Sequence, residues 1–207
     1  MQIDLFGKRE KSKTDISIEL SKEINGLELY PNFINDDEQK QLLYSIDSSL
    51  WMHDLKRRVQ HYGYKYNYRA RKIDHSFYLG KLPEWSKMIY QRMIDKNIIS
   101  FIPDQAIINE YQTGQGIASH IDCEPCFGDV IISLSLNASC IINFEKQPNS
   151  KNKIGIFIEP KTLLVMKNES RYNWYHSIPP RKSDKFNDEN IKRDRRVSIT
   201  FRKVLLK

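Results

Sequence analysis

Apolar positions along this chain follow two periods, and the change falls near residue 105. Before it the spacing is helical. Asn35 is a good N-cap, Asp36, Asp37 and Glu38 suit the positive end of a helix dipole, and Leu42, Leu43 and Ile46 recur at helical spacing. A helix is therefore predicted from Asn35. A second is predicted to open at Pro83, with Trp85, Met88, Ile89 and Met93 as its buried stripe.

From Gln105 onward the chain breaks into short runs rich in Ile, Val, Phe and Tyr. The predicted strands are Ala106–Tyr111, Val130–Leu136, Ser139–Phe144, Ile154–Ile158, Thr162–Lys167, Trp174–Ile178 and Arg195–Val204. Turn-forming segments such as 113–116 (TGQG) and 147–150 (QPNS) separate them. Short strands at this spacing predict a sandwich or barrel of two antiparallel sheets. Helices first and strands later give an α+β fold, with the helices backing one sheet. The polar, mostly charged stretch Arg181–Asp194 is expected to be a mobile surface loop. Residues 1–15 carry charges but no apolar run and read as a flexible arm, packed at most by Leu5 and Phe6. The expected division is an N-terminal arm over 1–24 and one domain over 25–207.

A length of 207 residues suits one domain with a full core, and no internal repeat is present. No apolar run approaches the roughly 20 residues needed to span a bilayer, and the N-terminus lacks the apolar region of a secretory signal. A membrane partner is not expected, and the protein is expected to be a monomer. Cys123, Cys126 and Cys140 are too few and odd in number for a disulfide framework, which suits a reducing intracellular compartment, cytoplasm or nucleus. Cys123 and Cys126 have metal-site spacing but no second pair to complete a zinc site, so two free thiols are expected. A net charge of +7 suggests an anionic partner.

The candidate chemistry lies in the strand-rich half. In His120-Ile121-Asp122 the two polar residues are two apart, so an extended segment points both side chains to one face. His176 is the sole histidine downstream and sits in an apolar run ending at Pro179-Pro180. Two histidines and one carboxylate suit non-haem Fe(II), because three positions stay open for oxygen and a bidentate co-substrate. Each histidine alone could equally be a core or surface residue. Arg196, Ser198, Thr200 and Arg202 share one strand face, which either meets solvent or grips a buried anion. A bidentate carboxylate would explain why the cations are arginines. Asn109 and Tyr111, on one strand face upstream, add polar contacts for the same ligand.

These pieces resemble the AlkB family of Fe(II)/2-oxoglutarate dioxygenases. The resemblance is carried by NEYQTGQGIASHID, LLVMKNESRYNWYHSIPP and RVSITFR, together with the upstream RRVQHYGYKYNY, and covers about residues 25–204 in the family's order. It implies a double-stranded β-helix (jelly-roll) core with a nucleotide-recognition lid. It implies iron on His120, Asp122 and His176, and 2-oxoglutarate held at its two ends by Arg202 and Arg196 with Asn109 and Tyr111. Ser198 stands where the family usually has Asn. The implied reaction decarboxylates 2-oxoglutarate with O2 and oxidises a substrate carbon, with ascorbate as the reductant expected in an assay. Hydroxylation of an N-methyl carbon releases formaldehyde, and hydroxylation of an ordinary carbon leaves an alcohol.

The segment 56–72 (KRRVQHYGYKYNYRARK) carries seven basic residues and no acidic one. Tyr62, Tyr64, Tyr66 and Tyr68 alternate, so an extended chain would line them along one face. Arg57, Arg58 and Lys65 with these rings suit a phosphate backbone and an exposed base, although a solvated hairpin packing its tyrosines on the core has the same composition. The segment resembles the family's lid, and a base oxidised at a buried iron must be single-stranded or flipped. Glu124 and Arg171 are the remaining substrate-side candidates. The lid and RYNWYHSIPPRK resemble the branch that hydroxylates a modified wobble uridine in tRNA. That branch carries an RNA-recognition domain, a methyltransferase domain and a cysteine-rich tail, for which these residues have no counterpart. Glu124 instead resembles an acidic residue of base-repairing relatives. The favoured expectation is oxidation of a tRNA wobble uridine. Oxidative demethylation of alkylated DNA or RNA bases is the alternative, followed by an inactive nucleic-acid-binding module and an oxygenase for protein side chains.

Overall fold

The two amphipathic segments become helices and the apolar runs become strands in the computed structural model, which describes residues 11–53, 56–66, 72–148 and 150–206. The first half holds α1 (Lys13–Ser21), β1 (Leu27–Tyr30), α2 (Asp36–Asp47), β2 (Val59–Tyr62), a 3-10 turn (His75–Phe77) and α3 (Glu84–Asp95). Then come β3 (Gln105–Tyr111), β4 (Ile117–His120), β5 (Phe127–Leu136), β6 (Cys140–Glu145), β7 (Ile154–Ile158) and β8 (Leu163–Met166). The chain closes with α4 (Asn168–Tyr172), β9 (Tyr175–Ile178), β10 (Ser183–Phe186), β11 (Glu189–Lys192) and β12 (Arg196–Val204).

The major sheet has the order β1-β8-β5-β12-β3-β2, the minor sheet the order β4-β9-β6-β7, and all their pairings are antiparallel. From β3 to β9 and then β12 the chain passes back and forth between the sheets, which is the jelly-roll topology. Two apolar clusters follow from strand alternation. Phe127, Ile131, Ile142, Phe144, Ile156 and Leu164 fill the space between the sheets. Ile108, Leu134, Val165, Val197, Ile199 and Phe201 on the outer face of the major sheet meet Leu42 and Ile46 of α2 and Ile89 and Met93 of α3.

Asn35 caps α2 as expected: its side-chain oxygen accepts from Glu38 N–H, and the Glu38 carboxylate accepts from Asn35 N–H. On α3 the buried residues are Ser86, Ile89 and Met93, whereas Met88 is 36% exposed and lies off the stripe. The flexible-arm reading is corrected for the segment that forms α1. Ser12 and Asp15 make a capping box, Ile16 and Leu20 pack on Ile141, Phe157 and Phe186, and Ser17 accepts from Phe157 N–H. The signal was hard to read because Ile16 and Leu20, one helical turn apart, are diluted by Thr14, Asp15, Ser17 and Glu19. The expected loop over 181–194 is likewise an ordered hairpin of β10 and β11, turned by Asn187 and Asp188 with φ of 47° and 60°. Its charges pair inward, since buried Asp184 accepts from Arg193 Nε at 2.6 Å and from Arg181 Nε at 2.7 Å.

Candidate metal and co-substrate centre

His120 ends β4, and the antiparallel register sets it opposite His176 on β9. Gly116 lets the two strands meet, because a Cβ there would lie 2.1 Å from the carbonyl oxygen of Ile178. Asp122 follows on the segment leaving β4, with Oδ2 3.7 Å from His176 Nε2. One ligand atom from each of His120, Asp122 and His176 lies within 4.8 Å of the others. His120 Nδ1–H donates to the Ala118 carbonyl at 2.9 Å, which leaves Nε2 with its lone pair for a metal. Burial and the neighbouring His120 hold the His176 imidazole down to about 3, so it stays neutral and able to ligate. Burial pushes the Asp122 carboxyl up, but the Arg202 guanidinium beside it outweighs this and holds the group well below the usual carboxylate range. Two imidazoles and one carboxylate on one side of a cavity are the donor set that fits Fe(II).

The polar face of β12 turns into the same space between the sheets. Arg196, Ser198, Thr200 and Arg202 are all buried. Arg196 Nη2 donates to Ser135 Oγ at 2.6 Å, and its guanidinium lies 5.5 Å from the Tyr111 ring centre. Arg202 Nη2 donates to Asp122 Oδ1 at 2.5 Å and Nη1 to Gln105 Oε1 at 3.1 Å, with the guanidinium over Phe127. The Nε–H of each arginine is buried without a hydrogen-bond partner among the described residues. Two buried cations with spare donors, beside Asn109 and Tyr111, fit a dicarboxylate such as 2-oxoglutarate. Burial raises the Tyr111 hydroxyl, which keeps it a neutral donor. Arg196, Ser198, Thr200, Arg202, Asn109 and Tyr111 line one cavity of about 680 Å³ with the three metal-ligand candidates.

The expected substrate-side residues divide. Arg57, Tyr66 and Glu124 line the cavity. Arg57 Nε donates to Asn109 Oδ1 at 2.8 Å, and the Tyr66 ring packs on Phe127 at 5.5 Å. The structure corrects the single tyrosine face, because Gly63, with φ of 75°, breaks the strand alternation after β2. Tyr62 packs edge-on against Trp85 of α3, and Tyr64 packs against Tyr78. The Lys65 backbone N–H donates to the Phe77 carbonyl. Tyr62, Tyr64 and Lys65 are not among the cavity-lining residues. Tyr68 lies outside the described residues.

Arg58 is also corrected, since both of its donating nitrogens go to Glu110, on the face of β3 opposite Asn109. Arg171 is 2% exposed and donates to the carbonyls of Asp122, Cys123, Phe127 and Gly128, so it braces the loop after the metal carboxylate rather than meeting substrate. Within that loop Cys123 and Cys126 are joined as a disulfide, in place of the expected free thiols. The turn that brings them together closes with Cys126 N–H donating to the Cys123 carbonyl. Cys140 is a free, buried thiol. Sequence reasoning missed Gln105 and Ser135, whose only available signal was their place opposite β12.

Residues 26–202 match the family described as the 2OG-Fe(II) oxygenase superfamily. Uncharacterized protein L905 of Acanthamoeba polyphaga mimivirus is 38% identical over 185 residues, covering 89% of this chain and 88% of that protein. The Arabidopsis thaliana alkylated DNA repair protein ALKBH8 homolog is 39% identical, covering 87% of this chain and 59% of its own length. The Mus musculus tRNA (carboxymethyluridine(34)-5-O)-methyltransferase ALKBH8 is 37% identical, covering 86% of this chain and 30% of its own length. The chain thus spans only part of these two named relatives. The solved structure of OsALKBH1 has the same fold, with a TM-score of 0.67 at 16% identity over 86% of this chain and 96% of that one. By the match over residues 26–202, this chain belongs to the 2OG-Fe(II) oxygenase superfamily and is a dioxygenase, and it is similar to AlkB homologues over most of its length.

Proposed function

We propose that the enzyme oxidises a nucleobase in RNA, and specifically hydroxylates the side chain of a modified wobble uridine in tRNA. The observation that carries this reading is the 35–37% identity to proteins named for carboxymethyluridine at tRNA position 34, which extends over 86% of this chain. Those names describe methyl transfer, a reaction to which two histidines and a carboxylate in a cavity are not suited, so the reading concerns the base and not the named reaction.

With O2, bound Fe(II) and 2-oxoglutarate supply an oxidant that inserts one oxygen atom into a C–H bond, while 2-oxoglutarate loses CO2 and becomes succinate. His120, Asp122 and His176 would hold the metal. Arg196 and Arg202 neutralise the two carboxylates, with Tyr111 and Asn109 as neutral polar contacts. Phe127, Ile131, Phe144 and Leu164 line the cavity and keep water from the reacting atoms. Arg57 and Tyr66 meet a base that has left its stack, the first by charge and the second by its ring face.

Glu124 favours a second reading. A carboxylate lining the cavity suits a base made cationic by alkylation, and hydroxylation of its N-methyl carbon would end in demethylation. Mass spectrometry of modified tRNA and methylated DNA or RNA oligonucleotides, incubated with Fe(II), 2-oxoglutarate and ascorbate, tests both. A product heavier by one oxygen on the wobble uridine is expected. Loss of a methyl group from an alkylated base would establish the second reading instead. Failure to convert 2-oxoglutarate to succinate with any nucleic acid overturns both.

A further inference from the structure

We infer that Gln105 is a positioning residue that ties the nucleotide lid to the guanidinium of Arg202, and through it to the metal carboxylate of Asp122. Gln105 opens β3 and pairs in register with Arg202 on β12. Its side chain is fully buried. Nε2 donates to the carbonyl of Tyr64 at 2.9 Å, while Oε1 accepts from Arg202 Nη1 at 3.1 Å. Arg202 then donates from Nη2 to Asp122 Oδ1 at 2.5 Å. The amide can adopt only one orientation, because a guanidinium has no acceptor and a carbonyl has no donor. Gln105 is therefore a one-way connector, with the lid at its nitrogen and the centre at its oxygen.

Two neighbouring features make this contact specific to the lid. Gly63 brings the chain leaving β2 against the start of β3, where a Cβ would lie 1.8 Å from the carbonyl oxygen of Asp104. On the other side of Lys65, the Tyr66 ring packs on Phe127, and the Arg202 guanidinium sits 4.5 Å from the centre of that same ring. Lid residues 64 and 66 thus reach Arg202 by two routes, one polar and one through an aromatic ring. Arg202 keeps a buried Nε–H without a partner among the described residues, which is where a carboxylate would add its contact. Filling that contact fixes the guanidinium, then Gln105, then the backbone of Tyr64. By linkage, ordering the lid tightens the co-substrate site to the same degree.

The inference rests on the co-substrate site of the proposed function but not on the identity of the nucleic acid. The test is amide hydrogen exchange of residues 63–66 and 77–79 with Mn(II) in place of iron, with and without 2-oxoglutarate, alongside calorimetry of 2-oxoglutarate binding. In the wild type, 2-oxoglutarate should slow exchange of the Lys65 and Leu79 amides about fivefold or more, the lower end of measured couplings between sites. These amides donate to the carbonyls of Phe77 and Gly63. Gln105→Met, similar in length but without either hydrogen bond, should still bind 2-oxoglutarate while the response at the Lys65 and Leu79 amides falls to less than half, the remainder passing through the Phe127 ring. Gln105→Glu keeps an acceptor for Arg202 but cannot donate to Tyr64, so its response should fall likewise, and it serves if the methionine variant does not fold. Equal lid protection in wild type and variants overturns the inference, as does a wild-type lid indifferent to 2-oxoglutarate. Loss of 2-oxoglutarate binding in both variants would assign Gln105 to holding Arg202 alone and overturn the coupling. Adding a tRNA anticodon stem-loop separates the two proposals. If it does not bind while the lid still answers to 2-oxoglutarate, the RNA reading fails and the role of Gln105 stands.

Discussion

His120 and His176 face each other across adjacent antiparallel strands, with ring centres 4.3 Å apart. The register of β4 on β9 therefore sets the spacing between two candidate ligands, and Asp122 completes the set from the segment just past β4. His176→Ala removes one of three candidate ligands without altering a backbone hydrogen bond. Metal analysis after loading should give about one iron per wild-type chain and close to none for the variant, with unchanged circular dichroism. Equal iron in both would contradict the assignment.

The two arginines of β12 should behave differently. Arg196 bonds to Ser135 and no metal-ligand candidate, so Arg196→Ala should chiefly raise the KM for 2-oxoglutarate, by about 10–100-fold for a lost charge-assisted contact. Arg202 also holds Asp122. Arg202→Ala should therefore weaken metal retention as well, which a chelator-competition titration of each variant would distinguish.

Arg57 and Arg58 are neighbours with opposite roles. Arg57 lines the cavity, whereas Arg58 is committed to Glu110. Arg57→Glu should raise the KM for an oligonucleotide tenfold or more, on the order of one lost charge-assisted contact, with the melting temperature held. Arg58→Glu should lower the melting temperature. Equal effects of the two substitutions on oligonucleotide turnover would return Arg58 to the binding surface.

Burial pushes the Glu110 carboxyl up, but hydrogen bonds from Arg58 and Arg195 outweigh it and leave it at about 2, below its ordinary 4.5. Because the folded value is the lower one, the stabilisation is fully present above the ordinary value and is lost as pH falls toward 2. Glu110→Gln should flatten the acid limb of a stability–pH curve over that window. At neutral pH it should cost about 3 kcal/mol, the scale for breaking a buried ion pair. An unchanged acid limb would remove Glu110 from the account.

Thiol counting tests the loop beside Asp122. Denatured without reductant, the protein should take up one equivalent of iodoacetamide, on Cys140, and three after reduction. Three equivalents without reductant would restore the free-thiol reading.

Much of the site was readable because strand geometry has a strict period. Alternation alone places Arg196, Ser198, Thr200 and Arg202 on one face, and it also places His120 and Asp122 two apart. Arg58 and Arg171 could not be sorted this way, because arginine in a basic stretch looks the same whether it meets phosphate, a carboxylate or a row of carbonyls. The tyrosine row failed for a backbone reason, since one left-handed glycine, Gly63, ends the alternation. The hairpin at 183–192 was misread because a charge-rich composition does not reveal that Asp184 and Arg193 are paired and buried.

The sequence by itself determined the candidates: which residues are of the type and spacing to bind iron, which to hold a dicarboxylate, and that apolar alternation builds two sheets. Those follow from side-chain type and local period, which need no long-range information. Only the tertiary structure decided which face of β12 is buried, which cations in the lid reach the cavity, and that Gln105 joins Tyr64 to Arg202. Each of these depends on strand register and on the approach of segments distant in sequence, and composition carries no record of either.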